Sequence, residues 1–297
     1  MTAQANALLT DRGVVSVTGP DAGKLLQGIL TNDVDRLGQQ PAIHAALLSP
    51  QGKILFDFVV FAVPGGFLLD VAADKTAELA KRLTMYRLRA KADIADVSAG
   101  HGVVVAWGDG ATPPPGAIAA AADPRLPALG LRAILSLDAA QRFDAAAAPR
   151  YHAHRIGLGV PEGGRDFVFG DTFPHEALLD QLGGVSFTKG CYVGQEIVSR
   201  MEHRGTARKR VVPVASSAPL PSPGPEVRAL DPETGSQLIG TLGSVDGTRG
   251  LALLRLDRAA ELAARGAGLT AGSVALAIGP LPAWASFTYP PKASAPG

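Results

Sequence analysis

The stretch Ile43-His44-Ala45-Ala46-Leu47-Leu48-Ser49-Pro50-Gln51-Gly52-Lys53-Ile54-Leu55-Phe56-Asp57-Phe58-Val59-Val60-Phe61-Ala62-Val63 sets two apolar, β-prone runs on either side of a Ser-Pro-Gln-Gly turn. Pro64-Gly65-Gly66 turns the chain again, into Phe67-Leu68-Leu69-Asp70-Val71. Strands joined by turns this short pair antiparallel, because parallel pairing needs a long crossover. The fold class is therefore α+β rather than a doubly wound parallel sheet.

Upstream, Val14 to Thr18 is a β-branched run. Gly19-Pro20-Asp21 then opens a short helix carrying Leu25, Leu26, Ile29 and Leu30. Downstream, Asp74 can cap a helix from Lys75 to about Leu88. A second unit starts with a strand at His101 to Trp107. It continues through a Pro- and Ala-rich excursion, a strand at Leu129 to Leu135, and a short helix after Asp138. The segment from Phe187 reads as helical from Gly194. After about Gly205 the texture changes to short strands with Pro/Gly connections and one helix, Arg258 to Arg265, which predicts a β-barrel or sandwich. The expected domains are 1–100, 101–204 and 205–297.

The 297 residues are 46% hydrophobic and 19% charged, which excludes wholesale disorder. A net charge of +1 gives no global field to recruit nucleic acid or membrane. One cysteine, Cys191, excludes an intrachain disulfide framework. The N-terminus has no basic start followed by an apolar core, and no apolar run reaches about 18 residues, so a cytoplasmic protein is expected.

Several familiar motifs fail on spacing. Gly19 to Leu25 lacks one spacer of a phosphate loop, with Leu25 where Ser or Thr must stand. His175-Glu176 has Leu179 where a zinc-protease helix needs its second histidine. His152 and His154 alternate as strand residues would, with no third ligand, so no metal site is expected. Two basic clusters, Lys75 to Lys91 and Arg200 to Arg210, would suit an anionic ligand if they converge, and otherwise are solvated faces. Cys191 stands between Gly190 and Gly194, close to Lys189 and just before a predicted helix. That setting favours a thiolate, and equally suits a small residue in a tight turn. Gln195-Glu196 can serve the first helical turn.

The octapeptide Lys189-Gly190-Cys191-Tyr192-Val193-Gly194-Gln195-Glu196 resembles the signature of the YgfZ family, relatives of the T-protein (aminomethyltransferase) of glycine cleavage. Thr31-Asn32-Asp33, the hairpin Ser49 to Phe58, Asp123-Pro124-Arg125 through Arg132, and Phe173-Pro174-His175-Glu176 match as well, so the likeness spans nearly the whole chain. The resemblance implies a two-part, T-protein-like folate-binding region of antiparallel sheet and helix, followed by a C-terminal barrel. It implies tetrahydrofolate or a derivative as ligand, and a role in assembly or repair of iron–sulfur proteins, with those proteins or their assembly machinery as partners.

Carried over by position, Asp57 and Cys191 are the catalytic candidates. Asp57, Arg89, Arg155, Glu176 and Lys189 are the folate-binding candidates. T-proteins carry an acidic pair where this chain has Phe56-Asp57, and a pterin-gripping glutamate where it has Pro127-Ala128-Leu129. T-proteins also lack the cysteine. The favoured function is a tetrahydrofolate-binding accessory factor for iron–sulfur proteins, with a reactive cysteine next to the folate cleft. The alternatives are a folate-dependent one-carbon transferase and a non-enzymatic RNA- or protein-binding module. No membrane partner is expected, and sparse aromatics argue against nucleic acid.

Overall fold

The computed structural model describes residues 4–205 and 207–291. The chain divides into two compact units: residues 1–152, 169–174 and 182–199 in one, and 153–168, 175–181 and 200–297 in the other. The compact units are drawn differently from the three expected domains. Residues 101–152 share a unit with 1–100, and the barrel's unit also takes in 153–168 and 175–181.

The first unit pairs two antiparallel sheets. Strands β1 (Ala5–Leu9), β2 (Arg12–Thr18), β3 (Ala42–Leu48), β4 (Ile54–Val63), β5 (Gly66–Ala72), β6 (Asp93–Asp96), β7 (His101–Trp107), β8 (Ala119–Ala122) and β9 (Leu131–Ser136) build them. One sheet runs β3-β4-β5-β2-β6 and the other β1-β7-β9-β8. The Ser49–Gly52 turn joins β3 to β4 with Ala46 opposite Asp57, as the hairpin reading requires. Helices α1 (Ala22–Ile29) and α2 (Thr76–Arg87) cover one face of the five-stranded sheet. Strand alternation explains the layering. Phe56, Phe58 and Val60 face the helices, while Val59 and Phe61 face the second sheet with Val103, Val105, Trp107 and Ile134. Both faces of β4 are thus buried, which is why its sequence is an unbroken apolar run.

The layer between the sheets is not wholly apolar. Asp70 on β5 takes the guanidiniums of Arg12 and Arg132. Arg132 also bonds Asp123, which holds Arg125 through two further bonds of 2.9 and 2.7 Å. Tyr151 Oη accepts from both Arg125 and Arg132. It sits on α4 (Ala148–Gly157), after the single-turn α3 (Leu137–Ala140). Burial alone would raise the Asp123 carboxyl, but Arg125 and Arg132 outweigh it and hold it well below the usual carboxylate range. His152 and His154 lie on α4, not on a strand. The chain there is Ala- and Arg-bearing with no β-branched run, and the helix wins.

Helix α5 (Gln195–Arg204) starts in the first unit and ends in the second, which holds β10 (Lys209–Ala215), β11 (Glu226–Asp231), β12 (Gly235–Asp246), β13 (Arg249–Arg255), β14 (Gly268–Ala271) and β15 (Val274–Ile278). They close a barrel in the order β10-β13-β12-β11-β14-β15, with α6 (Leu256–Ala264) between β13 and β14. Leu256, Ala259 and Leu262 of α6 join the barrel core.

Truncating Asp70 to Ala removes the carboxylate that bridges Arg12 and Arg132, and should cost about 3–5 kcal/mol, read as a lowered Tm. Because Asp123 is depressed in the folded state, its contribution is complete above its ordinary value of 3.8 and fades as pH falls below it. Acid titration of Asp123→Asn should therefore lack part of the wild-type loss.

Candidate functional site

Asp57 projects from β4 toward the inter-sheet layer and is buried. His44 on β3 sits diagonally across from it, also buried, with Nε2 3.9 Å from Asp57 Oδ2. Nδ1 of His44 lies 3.4 Å from the carbonyl of Leu182, to which only a protonated Nδ1 can donate. In the neutral ring Nε2 is then an acceptor. Among the described residues nothing bonds His44 Nε2 or Asp57 Oδ1. A cavity of about 280 Å³ is lined by His44 with Asn32, Asp123, Pro124, Pro127 and Gly183 among others, and Asp57 is not part of its lining. Phe56, which stands at the first position of the T-protein acid pair, points to the opposite face into apolar core. An acid there would be buried without a partner.

His44 went unnoticed in the sequence, although a histidine between Ala42 and Ala46 on one strand face is a polar break in an apolar run. Thr31 and Asn32, of the Thr31-Asn32-Asp33 match, have a structural role. Thr31 Oγ1 donates to the Gly184 carbonyl at 2.6 Å and accepts from Ala46 N–H at 2.8 Å. Asn32 Nδ2 donates to the carbonyls of His44 and Gly183, both at 2.7 Å. The pair fastens the segment after Leu182 to β3, beside His44.

The same segment carries the cysteine motif. Lys189 Nζ donates to the carbonyls of Gln27, Leu30 and Asn32 at 2.7, 2.7 and 2.9 Å. All three ammonium protons are used, on the Gln27 carbonyl in the last turn of α1 and on those of Leu30 and Asn32 just after it. Burial outweighs the attraction of Asp33 and Asp35 and brings Lys189 down to about 8. At the other end, Gly194 has φ +81, and a Cβ there would lie 2.7 Å from Ser49 O and 3.1 Å from Leu48 Cβ. Reciprocally, a Cβ on Gly52 would meet Ile197 Cβ at 2.9 Å. The two glycines let the motif lie on the β3–β4 turn. Between these anchors Val193 packs against the helical core and Cys191 is exposed. Gln195 and Glu196 open α5 as expected.

Other expected ligands have different employment. Arg155 is fully buried in the second unit, where it pairs with Glu162 and Asp166 and donates to Val160 O and Ser244 Oγ. A long cation in a closed ion network is a framework residue, so the expected folate contact is corrected. Lys189 is likewise an anchor with its donors committed, not an open cation beside the thiol. Glu176 is half-buried in the second unit and its carbonyl accepts from Val211 N–H. Arg89 is exposed just past α2 and does not line the cavity at His44. Arg210, from the second basic cluster, forks onto Asp180 at 3.0 and 2.9 Å.

The chain superposes on the crystal structure of the glycine cleavage system aminomethyltransferase T from Bartonella henselae with a TM-score of 0.71, covering 94% of this chain and 86% of that one at 16% identity. By fold this is an aminomethyltransferase-T-like chain, as expected. A family model of the CAF17 C-terminal beta-barrel domain matches residues 208–287. The human iron-sulfur cluster assembly factor IBA57, mitochondrial, is 33% identical over 279 residues, 83% of this chain and 76% of that protein. The homolog from Mycosarcoma maydis is 37% identical over 252 residues, 78% of this chain. The chain belongs to the IBA57 family. It spans 62% of the length of the Mycosarcoma maydis relative and 57% of the Neurospora crassa one. The YgfZ resemblance is thereby refined to IBA57. The cytoplasmic expectation is overturned by the same finding, since these relatives are named as mitochondrial proteins. Among the described residues no helix is long and apolar enough to cross a membrane.

Lys189 binds fewer protons folded than unfolded between about pH 8 and its ordinary 10.5. Its contribution to stability therefore rises with pH across that window. Lys189→Met should flatten that part of the stability–pH curve, measured by urea unfolding at stepped pH.

Proposed function

We propose that the chain serves the assembly of iron–sulfur proteins, offering Cys191 as a single cluster ligand, with tetrahydrofolate or a derivative held beside His44 and Asp57. One observation carries the first part: the only cysteine of the chain is exposed on a short segment fixed at both ends, by Lys189 and by Gly194. On ligation the thiol gives up its proton and Sγ bonds iron, with no change of oxidation state. One cysteine supplies one of the ligands a cluster needs, so the rest come from a partner protein or a second copy. The relatives' names as cluster assembly factors support this reading.

The folate part is supported by chemistry at the cavity. A volume of about 280 Å³ lies near the lower end of small-molecule sites, enough for a ring system. Two buried acceptors lack donors: His44 Nε2, on a residue that lines the cavity, and Asp57 Oδ1, on the carboxylate whose other oxygen is 3.9 Å from that nitrogen; an N–H group on a heterocycle would satisfy His44. Pro127 lines the cavity where T-proteins place their glutamate, so this pair would substitute for it.

Two measurements test the two parts separately. Under anaerobic reconstitution with iron, sulfide and glutathione as co-ligand, wild type should develop the visible absorption of a thiolate-bound cluster, and Cys191→Ala should not, at unchanged Tm. In calorimetric titration, Asp57→Asn should weaken tetrahydrofolate by about tenfold or more. Equal cluster yield in Cys191→Ala removes the ligand role, and equal folate affinity in Asp57→Asn removes the folate site.

A further inference from the structure

The C-terminal end of α2 breaks two rules at once. Leu88, the residue after the helix, has φ 47 and ψ −107, a conformation that belongs to glycine. It is also 86% exposed, and Met85, one turn earlier, is 62% exposed. A bulky residue held in a strained conformation, with its side chain in water, gains nothing for the fold from either property. The side chain is useful only to something outside the chain.

The surroundings say what kind of partner. From Leu79 to Ala92 there is no acidic residue, while Lys81, Arg82, Arg87, Arg89 and Lys91 fall in that span. Lys81, Arg89 and Lys91 are exposed, and Arg82 and Arg87 are half-buried, with one Arg87 nitrogen donating to Ala92 O. The acids at the margin are Glu78, paired with Lys75, Asp21, which accepts from Lys91 N–H, and Asp93. Two apolar side chains ringed by cations fit an acidic surface with an apolar patch, and repel a second copy of the same face. The position favours a protein over a lipid surface. Tyr86 of α2 and Val193 of the cysteine segment pack against one core cluster, so α2 and Cys191 belong to the layer on the same face of the five-stranded sheet.

We propose that Met85 and Leu88, with Lys81, Arg82 and Arg89 around them, form a docking surface for an acidic protein partner that carries exposed leucine-type side chains. This deepens the assembly-factor reading by naming where a partner is held, separately from the thiol that meets its cargo.

The probe is a labelled synthetic peptide of glutamates with two leucines at helical spacing, followed by fluorescence anisotropy on the full chain. Leu88→Gly is the decisive variant, because glycine takes the same backbone conformation without strain, so its Tm should not fall. It should bind the peptide about tenfold more weakly than wild type, as should Arg89→Glu. Raising salt from about 0.05 to 0.3 M should weaken wild type as well. A peptide with serines in place of leucines should bind more weakly than the parent. Undiminished affinity in Leu88→Gly, equal binding of the serine peptide, or binding to phosphatidylglycerol vesicles but not to the peptide would overturn the proposal. Cys191→Ala leaves this readout untouched, so failure of docking and failure of the cluster-ligand role are distinguishable.

Discussion

The sheet-pair unit is organised around a chain of charges buried where the two sheets meet. Arg12, Asp70, Arg132, Asp123 and Arg125 form one connected line, with the Tyr151 hydroxyl accepting from its last two arginines. Apolar packing alone would leave the sheets free to slide, because methyl groups have no preferred partner. Paired guanidiniums and carboxylates specify one register, since any slip leaves a charge unsatisfied. That register sets Asp123 and Pro124 of the four-stranded sheet's margin against His44 of the other, and so determines the shape of the cavity between them.

Much of this architecture was readable from short-range signals. Two strands either side of Ser-Pro-Gln-Gly pair because nothing else can happen over so few residues, and β3–β4 does so with Ala46 facing Asp57. The helix predicted to end near Leu88 ends at Arg87. The change of texture after Gly205 corresponds to a closed six-stranded barrel. Long-range partners were less visible. β1 pairs with β7, nearly a hundred residues away, and its five residues carry no turn signal that would announce the match.

Side-chain roles were harder still, for a definite reason. Residue type and neighbours in sequence made Lys189 look like an open cation beside a thiol. Its actual surroundings are three carbonyls from the last turn of α1 and the residues just after it, more than 150 positions earlier. Arg155 read as a ligand cation, yet Asp166 and Glu162 close around it a few residues on. Asp57 was a candidate through the resemblance, which places the T-protein aspartate at that position of the hairpin. His44 was overlooked because its relation to Asp57 exists only across the ladder.

The doubly fastened cysteine segment has a thermodynamic consequence. Lys189 and Gly194 bracket four residues of backbone whose ends are already immobilised, so Cys191 is presented on a short bridge rather than a free arm. A thiol on a floppy loop must surrender conformational freedom at the moment of contact, and that loss is subtracted from affinity. Here the ordering has taken place during folding. A weak or brief encounter at Cys191 can therefore retain more of its intrinsic bond strength than the same encounter at a mobile terminus, and the lifetime of the contact depends on the partner's own flexibility.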